Sequence, residues 1–133
     1  MLYLKYFIRM NTKINNLVTT EYKVVFSKML KDQNMLFGGI VMQWIFEVDY
    51  ITAIGFTRKK MVTVSIDKNK FLKPVTSGEI IKLVGSVAKV GLAKITIQVE
   101  MFKEQLDSEI KQKSIQGTFT CAAIDKNNKP IRI

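Results

Sequence analysis

The sequence predicts an α+β fold in which one long buried helix is wrapped by a five-stranded antiparallel sheet. Residues 36–53, "LFGGIVMQWIFEVDYITA", form the most apolar long stretch of the chain and contain two adjacent glycines near their start. Most of the remaining chain alternates apolar and polar residues in short runs that are separated by turn residues. That alternation is typical of half-buried strands, and one helix with such strands forms a two-layer domain.

The helix is predicted over about Phe37–Phe56. Its apolar side chains leave no wide polar face, so it should be buried on nearly every side. Its own sheet covers only part of that surface, and pairing with a second subunit is a simple way to cover the rest. A first strand is predicted at Thr20–Phe26, so residues 1–19 form an N-terminal extension and residues 20–133 a single domain.

Four further strands are predicted after the helix. In the first of them, Met61–Ile66, simple alternation places Val62, Val64 and Ile66 on one face. Glycine and proline in residues 71–79 and glycine in residues 90–94 indicate turns. The remaining predicted strands are Ile80–Val90, Ile95–Phe102 and Ser114–Ile124, with a charged connection at residues 103–113.

The composition excludes several kinds of chemistry. The chain has no histidine and a single cysteine, Cys121. Without histidine it has no Ser–His–Asp or Cys–His catalysis, no histidine-based dehydration and no ordinary zinc site. One cysteine allows no disulfide within the chain, so a reducing, cytoplasmic location is predicted. Cys121 alternates within a strand and is interpreted as a small buried side chain.

The net charge of +10 is compatible with an anionic partner, whereas for any one group of lysines a solvated surface is the favoured interpretation. Nucleic acid, an acidic membrane surface and a polyanionic small ligand are all compatible with it. No basic stripe interleaved with aromatic residues is present, so nucleic acid is disfavoured. The apolar N-terminal segment "MLYLKYFIRM" is too short to span a membrane, and no integral membrane segment is predicted.

The motifs resemble those of one family. The segments that carry the resemblance are residues 36–53, "MVTVSIDKNKFLKPVTSGEIIKLVGSVAKVG" and "GTFTCAAIDKNNKPI". The second contains Phe71, Pro74, Val75, Gly78 and Glu79, which match an F–x–x–P–V–x–x–G–[DE] turn. Together the segments resemble the hotdog-fold acyl-CoA thioesterases.

The resemblance implies subunits that pair through their sheets and helices, giving a dimer at least, and a tetramer or a trimer of dimers as alternatives. It implies that acyl-CoA binds at the subunit interface, with the thioester beside the start of the helix and no cofactor other than the CoA of the substrate. Gly38 and Gly39 allow close approach, and free N–H groups of the first turn bear the developing oxyanion. A carboxylate further along the helix attacks or activates water.

Three functional positions depart from the family. The usual catalytic acid, seven residues after the second glycine, is Phe46. The family's asparagine in the preceding loop falls on Lys31, and the "VG–x–T–S" turn is "VGLAK", with Ala93 and Lys94 in place of the two hydroxyl residues. Hydrolysis of acyl-CoA is therefore predicted to be weak or atypical, and the alternative is a protein that binds acyl-CoA or CoA without hydrolysing it.

Two carboxylates can replace the missing acid. Asp49 lies one helical turn after Phe46 on nearly the same face of the helix. Glu47 is turned about 100° away from Phe46. A helix acid paired with lysine is the structural alternative for Asp49. Lysine and arginine can bind the phosphates of CoA. The predicted CoA-binding residues are Lys31, Asn34, Arg58, Lys60, Gly91 and Lys94.

Overall fold

The computed structural model describes residues 18–26, 38–71, 75, 78–104 and 111–133, and only the backbone of residues 68 and 71. One helix and five strands occur in these ranges. They are β1 (Val18–Val24), α1 (Gly38–Thr57), β2 (Lys60–Phe71), β3 (Ile80–Val90), β4 (Lys94–Glu104) and β5 (Lys111–Ile124).

The five strands form one antiparallel sheet in the order β1-β3-β4-β5-β2. Helix α1 packs on one face of this sheet, chiefly on the two strands β3 and β4. Alternate residues of β3 and β4 are buried on the helix face, as the alternation in the sequence requires. The predicted α+β arrangement, one helix on a five-stranded antiparallel sheet, is confirmed.

The helix and the sheet approach each other closely at Gly85 of β3. A Cβ atom at this position would overlap Thr52 Oγ1 and lie 2.6 Å from Val48 Cγ1. The Thr52 hydroxyl donates to the carbonyl oxygen of Val48 and lies 2.8 Å from the Thr19 hydroxyl on β1. A glycine is therefore required where the middle of the helix crosses the sheet.

The turn before β3 is fixed by its own glycine and by a buried ion pair. Gly78 has a φ of 81° and donates its N–H to the carbonyl of Val25, at 3.0 Å. Next to it, the buried Glu79 carboxylate lies 3.4 Å from Lys103 Nζ at the end of β4. The Gly-Glu motif thus ties the end of β1, the start of β3 and the end of β4 together.

Within one chain the sheet covers only one side of the helix, so the predicted burial on nearly every side depends on a second subunit. The face towards the sheet is buried, but Phe46, Tyr50 and Ile51 on the other side are exposed. The sheet covers one side of a helix only, and the apolar side chains opposite are left for another surface to cover.

The strand after the helix also differs from its prediction. β2 is longer than Met61–Ile66, and it has irregularities between Thr63 and Ser65 and again between Ile66 and Lys68. An inserted residue reverses the alternation of faces. Val62 lies opposite Ala122, whereas Ile66 lies opposite the buried Phe119, so the prediction of a shared face is wrong.

Candidate active site

Helix α1 begins at Gly38, at the end of the sheet where β1 ends and β3 begins. Gly38 and Gly39 are exposed, and among the described residues no atom outside the helix's own backbone lies within 4 Å of a Cβ position on Gly38. The first turn carries no acidic side chain. The N–H groups of a first helical turn have no partners within the helix and form its positive end, so this end can receive a carbonyl oxygen or another anionic group.

Phe46 lies two turns further along the helix. Its side chain is 38% exposed, and its ring packs on Phe119 of β5 with centroids 5.6 Å apart and planes inclined by 59°. The position at which the resemblance predicts the catalytic acid is therefore occupied by a partly exposed apolar side chain. A phenyl ring neither attacks a carbonyl carbon nor accepts a proton.

Asp49, by contrast, points into the protein and is fully buried. Its Oδ2 accepts a hydrogen bond from the Thr63 hydroxyl at 2.8 Å, and its Oδ1 accepts one from the Cys121 thiol at 3.3 Å. Burial raises the pKa of the Asp49 carboxyl, and the two hydrogen bonds act in the opposite direction but are weaker. In the single chain this carboxyl has no surface that water can reach.

Thr63 and Cys121 complete this cluster, and Thr63 was not identified from the sequence. They are direct partners across the β2–β5 pair, so both project towards the helix. Thr63 Oγ1 and Cys121 Sγ lie 3.8 Å apart. The buried position predicted for Cys121 is confirmed. Burial, together with the nearby Asp49 charge, raises the pKa of the Cys121 thiol to about 12. The thiol is therefore protonated and unreactive at neutral pH.

Glu47 is next to Phe46 but lies on a different side of the helix. It is half-buried, and one of its oxygens accepts a hydrogen bond from Gln43 Nε2 at 3.3 Å, one turn back on the same helix. Glu47 therefore keeps contact with solvent that Asp49 lacks, while its carboxylate is partly occupied by a neighbouring side chain.

The structure brings four of the predicted CoA-binding residues to one end of the molecule. Arg58 follows the helix with a φ of 56°, and Lys60 opens β2 opposite Ile124. Lys94 opens β4 opposite Ala122, and its carbonyl accepts the N–H of Gly91 at 2.7 Å. The two other predicted CoA-binding residues, Lys31 and Asn34, lie outside the described residues.

These basic residues do not lie beside Gly38 and Gly39 in the same chain. The helix has 20 residues, so its two ends are about 30 Å apart. Arg58 and Lys60 follow the last turn, whereas the glycines form the first. The two parts of the predicted site are therefore at opposite ends of one subunit.

Two other kinds of site are absent from the part of the chain that the structure describes. No group of three or more histidine, cysteine, aspartate or glutamate side chains is placed to hold a metal ion there. The described helix is not long and apolar enough to cross a membrane.

Comparison with known proteins identifies the family. Residues 33–110 match the model of the thioesterase superfamily. This chain belongs to that superfamily. The matched region contains the whole of helix α1 and the strands β2, β3 and β4, so it includes both ends of the predicted site.

The similar proteins act on acyl-CoA thioesters according to their names. An uncharacterized acyl-CoA thioester hydrolase of Bacillus subtilis is 31% identical over 109 residues, which cover 82% of this chain and 63% of that protein. The chain thus spans less than two thirds of the length of this relative. The matches to named acyl-CoA thioester hydrolases and to their hotdog folds place the chain in the acyl-CoA thioesterase family.

Two solved structures show the same fold with bound ligand or in an assembly. An acyl-CoA hydrolase from Staphylococcus aureus in complex with butyryl coenzyme A, coenzyme A and coenzyme A disulfide is 25% identical, with a TM-score of 0.82 over 90% of this chain and 70% of that one. A hexameric thioesterase from Yersinia pestis is 25% identical, with a TM-score of 0.78 over 85% of this chain and 92% of that one.

Proposed function

We propose that this protein binds acyl-CoA thioesters and hydrolyses them slowly to a free acid and CoA. The observation that carries the proposal is the open start of helix α1, where exposed Gly38 and Gly39 leave room for a ligand. The superfamily match supports the same chemistry. The low turnover follows from Phe46, which has no group that can activate water.

The N–H groups of the first turn supply the electrostatic part of this reaction. A thioester oxygen beside Gly38 and Gly39 accepts from them, and the charge that develops on it as water adds to the carbonyl carbon is stabilised. An oxyanion donor of this kind contributes about 3–4 kcal/mol. The C–S bond then breaks, CoA leaves as the thiolate and takes up a proton, and the acyl group leaves as the acid.

Asp49 and Glu47 are proposed for the acid role, in that order. The raised pKa of Asp49 suits a general base, because a base works best when its pKa is close to the operating pH. Its full burial requires that the approach of the second subunit or of substrate exposes the carboxyl. Glu47 has solvent access but lies on a different side of the helix from Phe46.

CoA is proposed to bind across two subunits. In a two-fold symmetric pair whose helices lie side by side and antiparallel, the start of one helix comes next to the end of the other. The end of the helix carries Arg58 and Lys60, with Lys94 and Gly91 at the same end of the sheet. One subunit would then hold the phosphates while the other holds the thioester, together with Lys31 and Asn34, which precede its helix in the sequence. The cytoplasmic location stays a prediction.

A second candidate function is the binding of acyl-CoA or CoA without hydrolysis. It is favoured by the same two side chains that weaken the first: Phe46 is apolar and the Asp49 carboxyl is sealed in the protein. The binding surfaces at the two ends of the helix do not depend on either side chain.

Release of free thiol from short, medium and long acyl-CoAs tests the proposal, with Phe46→Asp beside Phe46→Asn. The two variants have the same shape, and only the aspartate can act as a base. We expect slow release by the unchanged protein and release about 100-fold faster in Phe46→Asp alone, since a positioned base contributes at least that factor. Equal rates in the two variants would show that the lost acid does not limit hydrolysis.

The two candidate acids are separated by Asp49→Asn and Glu47→Gln in the same assay. Loss of the residual release in Asp49→Asn alone would assign the acid role to Asp49. If no acyl-CoA is hydrolysed by any variant while acyl-CoA still raises the melting temperature, the protein binds acyl-CoA without hydrolysing it.

A further inference from the structure

The end of the molecule at which helix α1 finishes is strongly basic. We call it the basic end and define it as residues 58–62, 88–94 and 124–133. These residues include eight lysines and arginines and one acid, Asp125, which leaves a net charge of +7 out of +10 for the whole chain. The eight are Arg58, Lys59, Lys60, Lys89, Lys94, Lys126, Lys129 and Arg132.

Hydrogen bonds hold the three segments of the basic end together as one surface. The Lys59 ammonium donates to the carbonyl of Arg132 at 2.6 Å, and that of Lys60 to the side chain of Asn128 at 3.2 Å. The N–H of Ile133 donates to the carbonyl of Leu92 at 2.8 Å. The charges are therefore carried on a fixed surface rather than on separate segments of chain.

The only acid of the basic end is turned to its own backbone. Asp125 Oδ1 accepts the N–H groups of Asn127 and Lys129, at 2.8 and 2.9 Å. The turn that it closes presents Lys126 and Lys129 on the exposed side. The carboxylate thus orders the turn that holds two of the lysines outward.

An apolar side chain projects from the basic end. Leu92, in the turn between β3 and β4, is 71% exposed, more than any other large apolar side chain in the described residues. Lys89 and Lys94 flank it in sequence and are exposed, and the backbone of Ile133 next to Arg132 is bonded to it. An exposed leucine in a turn, with basic residues on both sides of it in the sequence, suits a surface with an anionic outer layer and an apolar interior.

We propose that the basic end binds the surface of an anionic lipid bilayer, with Leu92 entering the boundary between headgroups and acyl chains. The basic side chains that lie outside the proposed CoA site contact anionic headgroups, and the helix lies away from the membrane at its Gly38 end. Residues 58–62, 88–94 and 124–133 contain no aromatic residue on which a base could stack, and this favours lipid over nucleic acid.

The surface is larger than the CoA site proposed above. The residues proposed to bind CoA at this end are Arg58, Lys60, Gly91 and Lys94. Lys126, Lys129 and Leu92 belong to neither that site nor the acid positions. Substitutions at these three residues therefore test lipid binding while the proposed acyl-CoA site stays unchanged.

Co-sedimentation with vesicles tests the proposal. The full chain is mixed with vesicles of phosphatidylcholine alone, or of equal parts phosphatidylcholine and phosphatidylglycerol. We expect sedimentation with the second kind only, falling as salt is raised because the charges are exposed to solvent. The double variant Lys126→Glu with Lys129→Glu should bind at least about tenfold more weakly. Leu92→Ser should also weaken binding, and that loss should persist at high salt.

A charge-matched control separates the basic end from net charge. Lys70→Glu with Lys111→Glu makes the same change in charge with two exposed lysines at the opposite end of the sheet. It should leave vesicle binding unchanged. Equal losses in the two double variants, no sedimentation with anionic vesicles, or tighter binding to a fluorescent oligonucleotide than to vesicles would each overturn the proposal. Thiol release, measured on the same variants without vesicles, reports separately on the proposed hydrolysis.

Discussion

Asp49 allows a direct test of how burial affects an ionisable side chain in this fold. Its carboxyl is buried and hydrogen-bonded to Thr63 and Cys121, and burial raises its pKa above the ordinary value of 3.8. Between 3.8 and the raised pKa, the unfolded chain has lost the proton that the native chain keeps. The native state binds more protons in that window, so the contribution of Asp49 to stability falls as pH rises through it and is constant above it.

The free energy of unfolding, measured by urea titration from acid to neutral pH, checks this sign. The free energy of unfolding of the unsubstituted protein minus that of Asp49→Asn should fall as pH rises, because the asparagine side chain does not titrate. Asp67→Asn is the opposite control. Hydrogen bonds from Thr120 and Ser65 lower the pKa of Asp67, so its contribution is present at neutral pH and is lost as pH falls. A difference for Asp49→Asn that does not change with pH would contradict the burial argument.

The residue scale is also where prediction from the sequence is weakest. The spacing of Phe46 and Asp49 places them on nearly the same side of an ideal helix. In the structure, the angular difference that remains between the two positions is enough to leave Phe46 exposed and Asp49 fully buried. The partners of Asp49 come from strands 14 and 72 residues away along the chain. The register of β2 against β5 brings Asp49's two partners together, and no local sequence pattern predicts that register.

At the scale of elements, Gly85 sets how closely helix α1 packs on the sheet. Gly85→Ala should lower the free energy of unfolding by about 1–3 kcal/mol, the usual cost of adding a carbon to a packed interior, because its Cβ meets Val48 and Thr52. At Gly55, within the same helix, an added Cβ meets no atom of the described residues within 4 Å apart from the helix's own backbone. Gly55→Ala should instead stabilise by up to about 1 kcal/mol through helix propensity. Equal effects of the two substitutions in thermal unfolding would contradict the close approach at Gly85.

Elements with an uninterrupted pattern were predictable from the sequence. The predicted strand Ile80–Val90 coincides with β3, and the predicted helix differs from Gly38–Thr57 by one residue at each end. β1 begins at Val18, two residues before its predicted start, and β5 begins at Lys111 within the connection predicted as charged. β2 was predicted with the wrong faces because its irregularities break a strict alternation. Propensity and period describe regular structure, and inserted residues are set by pairing with a neighbouring strand.

At the scale of the whole molecule, the described residues expose several apolar side chains on one side of the subunit. The exposed apolar residues of the helix, Phe46 and Tyr50, lie on the same side as Ile66 of β2, which is also exposed. In the described sheet β2 pairs with β5 alone, so its outer edge has free backbone groups. An open edge beside an apolar helix face is a surface that a second copy of the chain can extend and cover at once.

The protein should therefore be at least a dimer in solution. Ile66→Lys places a charge on this side and should shift the protein towards monomer, because a buried unpaired charge at an interface is strongly unfavourable. Val18→Lys makes the same change at an exposed valine of β1, on the opposite edge of the sheet, and should leave assembly unchanged. Sedimentation velocity at several concentrations distinguishes the species. A monomeric unchanged protein, or dissociation caused only by Val18→Lys, would place the interface elsewhere, and the proposed acyl-CoA site shared between subunits would lose its basis.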